Sequence, residues 1–184
     1  MIGRAASVRV IGALGLLAAF TVAPRASAQR AGEVTTTFDP RSGRFGGELG
    51  AGSRAPDTLA VTADRLWAVL PDAYAELGVP LTVVDTAAHY LGARSVTMRR
   101  PVGGLRLSRI VECGSGSFGP NAERYTVHLT VLSAVQPVDA THSLIVTTVG
   151  GSAAPNGLSS SVKCETNGAL EDKLLSVLRA RLAH

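Results

Sequence analysis

Between Tyr125 and Val131 apolar and polar residues alternate strictly. Tyr125, Val127, Leu129 and Val131 fall on one side, and Thr126, His128 and Thr130 on the other. A period of two puts successive side chains on opposite faces of an extended strand. Gln136-Pro137-Val138-Asp139 has the composition of a turn, and Leu144, Val146 and Thr148 share a face on the way back. That pattern predicts a β-hairpin. A sheet built on it needs its apolar face covered.

Two amphipathic segments can supply the cover. Ala63 to Leu77 reads as a helix with Thr62 as N-cap and Asp64 in its first turn. Trp67, Leu70, Tyr74 and Leu77 recur at helical spacing. Gly78 is placed to cap the C-terminus and Pro80 to prevent continuation. Pro71 falls inside and is expected to kink or split this helix. A second helix follows Asn167, with Leu170, Leu174, Val177 or Leu178, and Arg181 or Leu182 as its buried stripe.

Other segments read as strands: Thr58–Val61, Leu81–Val84, Arg94–Arg99, Leu105–Val111 and Val162–Glu165. His89–Gly92 and Pro101–Gly104 read as turns, and Gly114–Pro120 as a loop. Short connections make neighbouring strands antiparallel. The expected fold is α+β: an antiparallel sheet of four to five strands, with an N-terminal and a C-terminal helix packed on one face.

The first 28 residues read differently. Arg4 and Arg9 precede the apolar run Val10–Phe20, Pro24 interrupts, and Ala26-Ser27-Ala28 offers small residues for cleavage. This is the pattern of a secretory signal peptide, and the run is shorter than the roughly 20 residues of a membrane span. Residues 29–57 are rich in Gly, Arg, Ser and Pro and read as a flexible segment, with one β-prone run, Glu33–Phe38. Residues 58–184 form the single domain. The protein is expected in the periplasm or secreted, with no transmembrane helix after cleavage.

Export reinterprets two bulk properties. The chain has 18 Lys and Arg against 14 Asp and Glu, but Arg4, Arg9 and Arg25 leave with the signal and no acid does. The nearly neutral remainder gives no reason to expect a nucleic-acid partner. Cys113 and Cys164 are the only cysteines. An even count in an oxidising compartment predicts a disulfide between them. Closing a loop of about 50 residues stabilises a fold by roughly 4 kcal/mol.

Asp64-Arg65-Leu66-Trp67-Ala68-Val69-Leu70, Glu76-Leu77-Gly78-Val79 and the strand Leu81–Asp85 resemble the helix-grip domains of the BamC-type lipoproteins of outer-membrane assembly. The strand Tyr125–Leu129 and the last helix, Leu170–Leu182, continue the resemblance, which spans about two thirds of the chain. The chain departs from that family in lacking a lipid-attachment cysteine and in having one domain where the family has two. The resemblance implies a helix-grip fold and a non-enzymatic envelope module, with no catalytic residues to transfer.

Candidate chemistry is sparse. Gly114–Gly119 is Gly-rich, but no Lys-Ser/Thr follows it and neither serine sits in a Gly-x-Ser-x-Gly elbow. Val83-Val84-Asp85-Thr86-Ala87 has the outline of an aspartic-protease motif, yet such chemistry needs a second carboxylate. Asp85 reads more simply as a turn residue. His89, His128, His142 and His184 are scattered without metal-ligand spacing, so no metal and no cofactor is expected. The arginines stand out: Arg94, Arg99, Arg100, Arg106 and Arg109 fall in a stretch with no acid between Asp85 and Glu112. Gathered on one surface they would attract an envelope protein, anionic lipid or lipopolysaccharide phosphate; spread out, they are a solvated strand face. Trp67 and Tyr74 are candidates to line a ligand pocket between helix and sheet, with plain core as the alternative. The expected function is a non-enzymatic exported binding or adaptor module. A small-ligand or lipid carrier is the alternative, and a hydrolase the third reading.

Overall fold

The covalent chain is short of regular β signals before Thr58, and the first strands there are brief. A computed structural model describes residues 36–39, 44–47, 55–156 and 160–184. The signal segment 1–28 lies outside the described residues. Within the segment expected to be flexible, Thr36–Asp39 (β1) pairs antiparallel with Arg44–Gly47 (β2). Asp57–Leu59 (β3) already belongs to the main sheet.

Thr62 then turns the chain into helix Ala63–Leu77 (α1), its hydroxyl accepting the Arg65 amide at 3.3 Å. Gly78 adopts the left-handed conformation that closes it, with φ 70°. Pro71 does not split the helix, which runs through it to Leu77. Burial of Leu66, Leu70, Ala73, Tyr74 and Leu77 on one face outweighs the hydrogen bond that Pro71 removes. The buried stripe thus passes through Leu66 and leaves Trp67 only partly buried at its margin.

Val83–Asp85 (β4) pairs with Tyr90–Met98 (β5). The expected turn at His89–Gly92 instead falls before Tyr90, because Asp85 accepts the Ala87 and Ala88 amides at 3.0 and 2.9 Å and bends the chain there. A bulge between Ala93 and Val96 shifts the register of β5. The strand expected over Leu105–Val111 does not form. Leu107–Arg109 is a 3-10 turn, and only Val111–Glu112 (β6) is extended. Leu107, Ile110 and Val111 are all buried, and their i, i+3, i+4 spacing suits a helical turn better than a strand. The Gly-rich stretch forms a small hairpin, Ser115–Gly116 (β7) with Gly119–Pro120 (β8), followed by one helical turn, Asn121–Arg124 (α2).

Thr126–Pro137 (β9) and Ser143–Ala154 (β10) make the predicted hairpin, longer than the alternation alone suggests. Val162–Thr166 (β11) and the helix Ala169–Leu182 (α3) complete the domain. Asn167 is not the N-cap of α3; Gly168 is, in a left-handed conformation, with its amide bonded to the Thr166 hydroxyl at 3.0 Å. The main sheet is antiparallel in every pairing, in the order β4-β5-β9-β10-β11-β6, and β3 pairs with the start of β10. It has seven strands, more than the four to five expected: β3 and β4 fall on the segments Thr58–Val61 and Leu81–Val84 that read as strands, and β6 is the short extended end of Leu105–Val111, each joining the one sheet.

The core lies between this sheet and α1 and α3, which also pack on each other. Val127, Leu129, Val131 and Val135 of β9 and Ile145 and Val149 of β10 face it. Leu144, Val146 and Thr148 share one face of the returning strand, as their spacing predicts, and it is the side away from this core; Val146 and Thr148 are nevertheless buried, as are Leu132 and Ala134. The centre of the hairpin is therefore buried on both faces, and Thr130, Ser133 and Thr148 are buried polar residues there. Cys113, just after β6, is bonded to Cys164 in the neighbouring β11, and both are buried. No helix among the described residues is long and apolar enough to cross a membrane.

Candidate functional site

Proline ends β5: Pro101 has no amide to donate, so Arg99 and Arg100 sit where pairing stops. A tight turn, with Val102 and Leu105 paired, brings the chain back to Arg106 and the 3-10 turn. Glu123 of α2 then accepts the Ser108 amide at 2.8 Å, fastening α2 beside that turn. Asn121 fastens α2 on its other side, donating from Nδ2 to the Cys113 carbonyl at 3.1 Å and from its amide to the Gly114 carbonyl at 2.9 Å. The disulfide thereby holds the base on which Arg124 is carried.

These segments enclose a half-open cavity of about 210 Å³. Arg99, Arg100, Arg106 and Arg124 line it, with Glu123, Thr126 and Asn156. The Thr126 hydroxyl donates to Asn156 Oδ1 at 3.0 Å and accepts from Arg99 Nη2 at 3.4 Å, which orients that guanidinium. Hydrogen bonds from Ser108 lower the Glu123 carboxyl below its usual range, and the charge of Arg106 adds to this. Glu123 is ionised and its carboxylate is engaged by Ser108. Four guanidiniums against one carboxylate leave the lining three positive charges in excess. Among the described residues none of the four makes an ion pair, whereas Arg181 on α3 bonds Glu76 at 2.9 Å and Asp72 at 3.5 Å. Arginines without ion-pair partners, gathered around a concavity, suit phosphate or carboxylate oxygens, which guanidiniums bind through paired N–H groups.

Of the five arginines singled out in the sequence, Arg99, Arg100 and Arg106 meet in this cavity and Arg94 and Arg109 do not. Arg94 lies at the β5 bulge, where its amide donates to the Thr82 hydroxyl at 2.8 Å. Arg109 is exposed at the end of the 3-10 turn. Arg124 was not legible as a partner, since it is far along the chain and follows an acid. Only its place just before the clearest strand hinted at it.

Tyr74 and Trp67 sit elsewhere. Tyr74 is fully buried, with its hydroxyl 2.9 Å from Ser133 Oγ, which is 2.8 Å from Thr147 Oγ1. Burial pushes this phenol well above its ordinary range; the Ser133 bond opposes that and nearby Glu171 adds to it. Trp67 meets the His89 ring edge-on at 5.3 Å. Neither lines the basic cavity or the space beneath α3, which is about 10 Å³ and bordered by Ile145, Thr147, Leu174 and Leu178. Such a space holds at most a single water. Asp139 accepts from Thr141 and His142 in the turn between β9 and β10. No group of three or more His, Cys, Asp or Glu side chains among the described residues is arranged to hold a metal ion.

No protein-family model matches the chain, and no curated protein does.

Proposed function

We propose that the protein is an exported binding module of the cell envelope, without catalytic activity of its own, that docks an anionic group of an envelope component in the arginine cavity. One observation carries this reading: Arg99, Arg100, Arg106 and Arg124, from three separate stretches of chain, converge on one concavity that holds a single carboxylate. Convergence of like charge is electrostatically unfavourable in the free protein, and a bound anion relieves it. The buried disulfide supports an oxidising compartment, as the leader-like N-terminus does. A helix-grip-like core, in which α1 and α3 rest on an antiparallel sheet, supports the site: the turn between Arg100 and Arg106 is tied to the end of α1 by the Gly103 amide, which donates to the Leu77 carbonyl at 2.8 Å.

Pyrophosphate is a suitable soluble probe, and calorimetric titration reads its affinity. The wild-type protein is expected to bind it. Changing Arg99, Arg100 and Arg106 together to Gln is expected to weaken binding at least tenfold, about 1.4 kcal/mol, while the thermal midpoint stays put. Equal binding by the triple variant would remove the basis for this function.

A further inference from the structure

Phe118 is the most exposed large apolar side chain among the described residues, at 82% of its full accessibility. It stands at the tip of the β7–β8 hairpin, next to Gly119. The guanidinium of Arg124 lies over its ring, with Cζ 4.7 Å from the centroid. Arg124 also lines the basic cavity, so one side chain joins the aromatic tip to the site. We infer that the cavity is seated against an anionic lipid surface, Phe118 entering the boundary between headgroups and acyl chains while the arginines take headgroup phosphates. This inference rests on the anion-binding reading above and names the source of the anion.

A soluble anion would leave Phe118 in water. A protein partner would need roughly 800 Å² of matching surface on each side, and among the described residues the large exposed apolar group here is a single ring. A bilayer accepts one aromatic ring at its interface, where amphipathic and aromatic groups concentrate. Ser115, Gly116, Ser117, Gly119 and Pro120 flank Phe118 in sequence without a charge, and the charge that does lie over the ring is the cationic Arg124 guanidinium, which suits an anionic headgroup. The two nearest acids along the chain are both engaged by backbone amides: Glu123 accepts from Ser108 at 2.8 Å, and Glu112 accepts from Gly114 at 2.8 Å at the base of the hairpin. The disulfide and Asn121 hold that base, so the ring is presented without the ordering cost of a free loop.

The test is co-sedimentation of the disulfide-intact exported protein with vesicles of phosphatidylcholine alone or mixed with phosphatidylglycerol. Binding to the mixed vesicles and not to the neutral ones is expected. Phe118→Ala is expected to weaken vesicle binding about tenfold and to leave pyrophosphate affinity unchanged. The triple arginine variant loses both. If Phe118→Ala binds vesicles like the wild type, or if the wild type takes pyrophosphate but no vesicle, the lipid inference falls and the anion site stands. If pyrophosphate binding survives the triple arginine change, both fall together.

Discussion

At Gly92 strands β5 and β9 come so close that a side chain has no room. A Cβ there would run into the Val131 carbonyl oxygen and lie 2.9 Å from the Leu132 Cα, both backbone atoms that cannot swing aside. Gly92→Ala is therefore expected to cost about 3 kcal/mol in urea denaturation. Gly78→Ala meets no atom within 4 Å and carries only the left-handed backbone penalty, about 1 kcal/mol. Equal losses at the two positions would refute the close approach. Asp139 offers a titration instead of a clash. Hydrogen bonds from the Thr141 amide, first, and from the His142 and Thr141 side chains hold its carboxyl at about 2. A depressed folded value means these bonds are intact above the ordinary carboxylate range and are lost as pH falls through about 2. Carbon-detected NMR should place the Asp139 midpoint there, with the Thr141 and His142 amides shifting in step. A midpoint near 4 would show that the turn does not hold the carboxylate.

The two long helices and the disulfide decide how the elements hold together, and they do so by different physics. Arg181 reaches from α3 to Glu76 and Asp72 on α1, but these groups are 35%, 50% and 71% exposed. Water screens such pairs, so Arg181→Ala should cost under about 1 kcal/mol. Leu174→Ala, on the buried face of the same helix, should cost about 3 kcal/mol. Denaturant midpoints that reversed this order would place the helix contact in charge, not packing. The disulfide closes a separation of 51 residues between adjacent strands β6 and β11. Its reduction should lower stability by about 4 kcal/mol through the unfolded chain. It should also speed amide exchange in α2, which Asn121 ties to Cys113. Elements with local signals were legible in the sequence: α1 from Thr62 to Gly78, the central hairpin, α3 and the cysteine pair. The stretch Leu105–Val111 was not. Its leucines two apart imitate a strand, while the burial of Leu107, Ile110 and Val111 follows contacts with distant parts of the chain. Which face of β10 meets the helices was not legible for a related reason, since both sides of a doubly buried strand are apolar and the period of two fades.

For the whole molecule the question is whether binding reflects net charge or the place of particular charges. The sequence showed an acid-free run of arginines, and that run holds three of the four guanidiniums in the cavity. It could not show the fourth, Arg124, or the neighbouring Phe118, because the turn at Gly103–Gly104, the disulfide and the fastening of α2 bring them together across the chain. On the proposed export, with the leader removed, 15 basic side chains would face 14 acidic ones, and no long-range field of the whole protein would favour an anion. Arg179 on α3 is exposed and outside the cavity, and removing it changes net charge as much as removing Arg100 does. Arg179→Gln should therefore leave pyrophosphate affinity within about twofold, while Arg100→Gln should lower it roughly fivefold, about 1 kcal/mol for one guanidinium contact. Raising the salt from 0.1 M to 1 M shortens the screening length from about 10 Å to about 3 Å. Affinity of the wild type should fall with salt, and the difference between the two variants should shrink with it. If the two substitutions weakened binding equally, the protein would be responding to charge in general, and the cavity would have no special role.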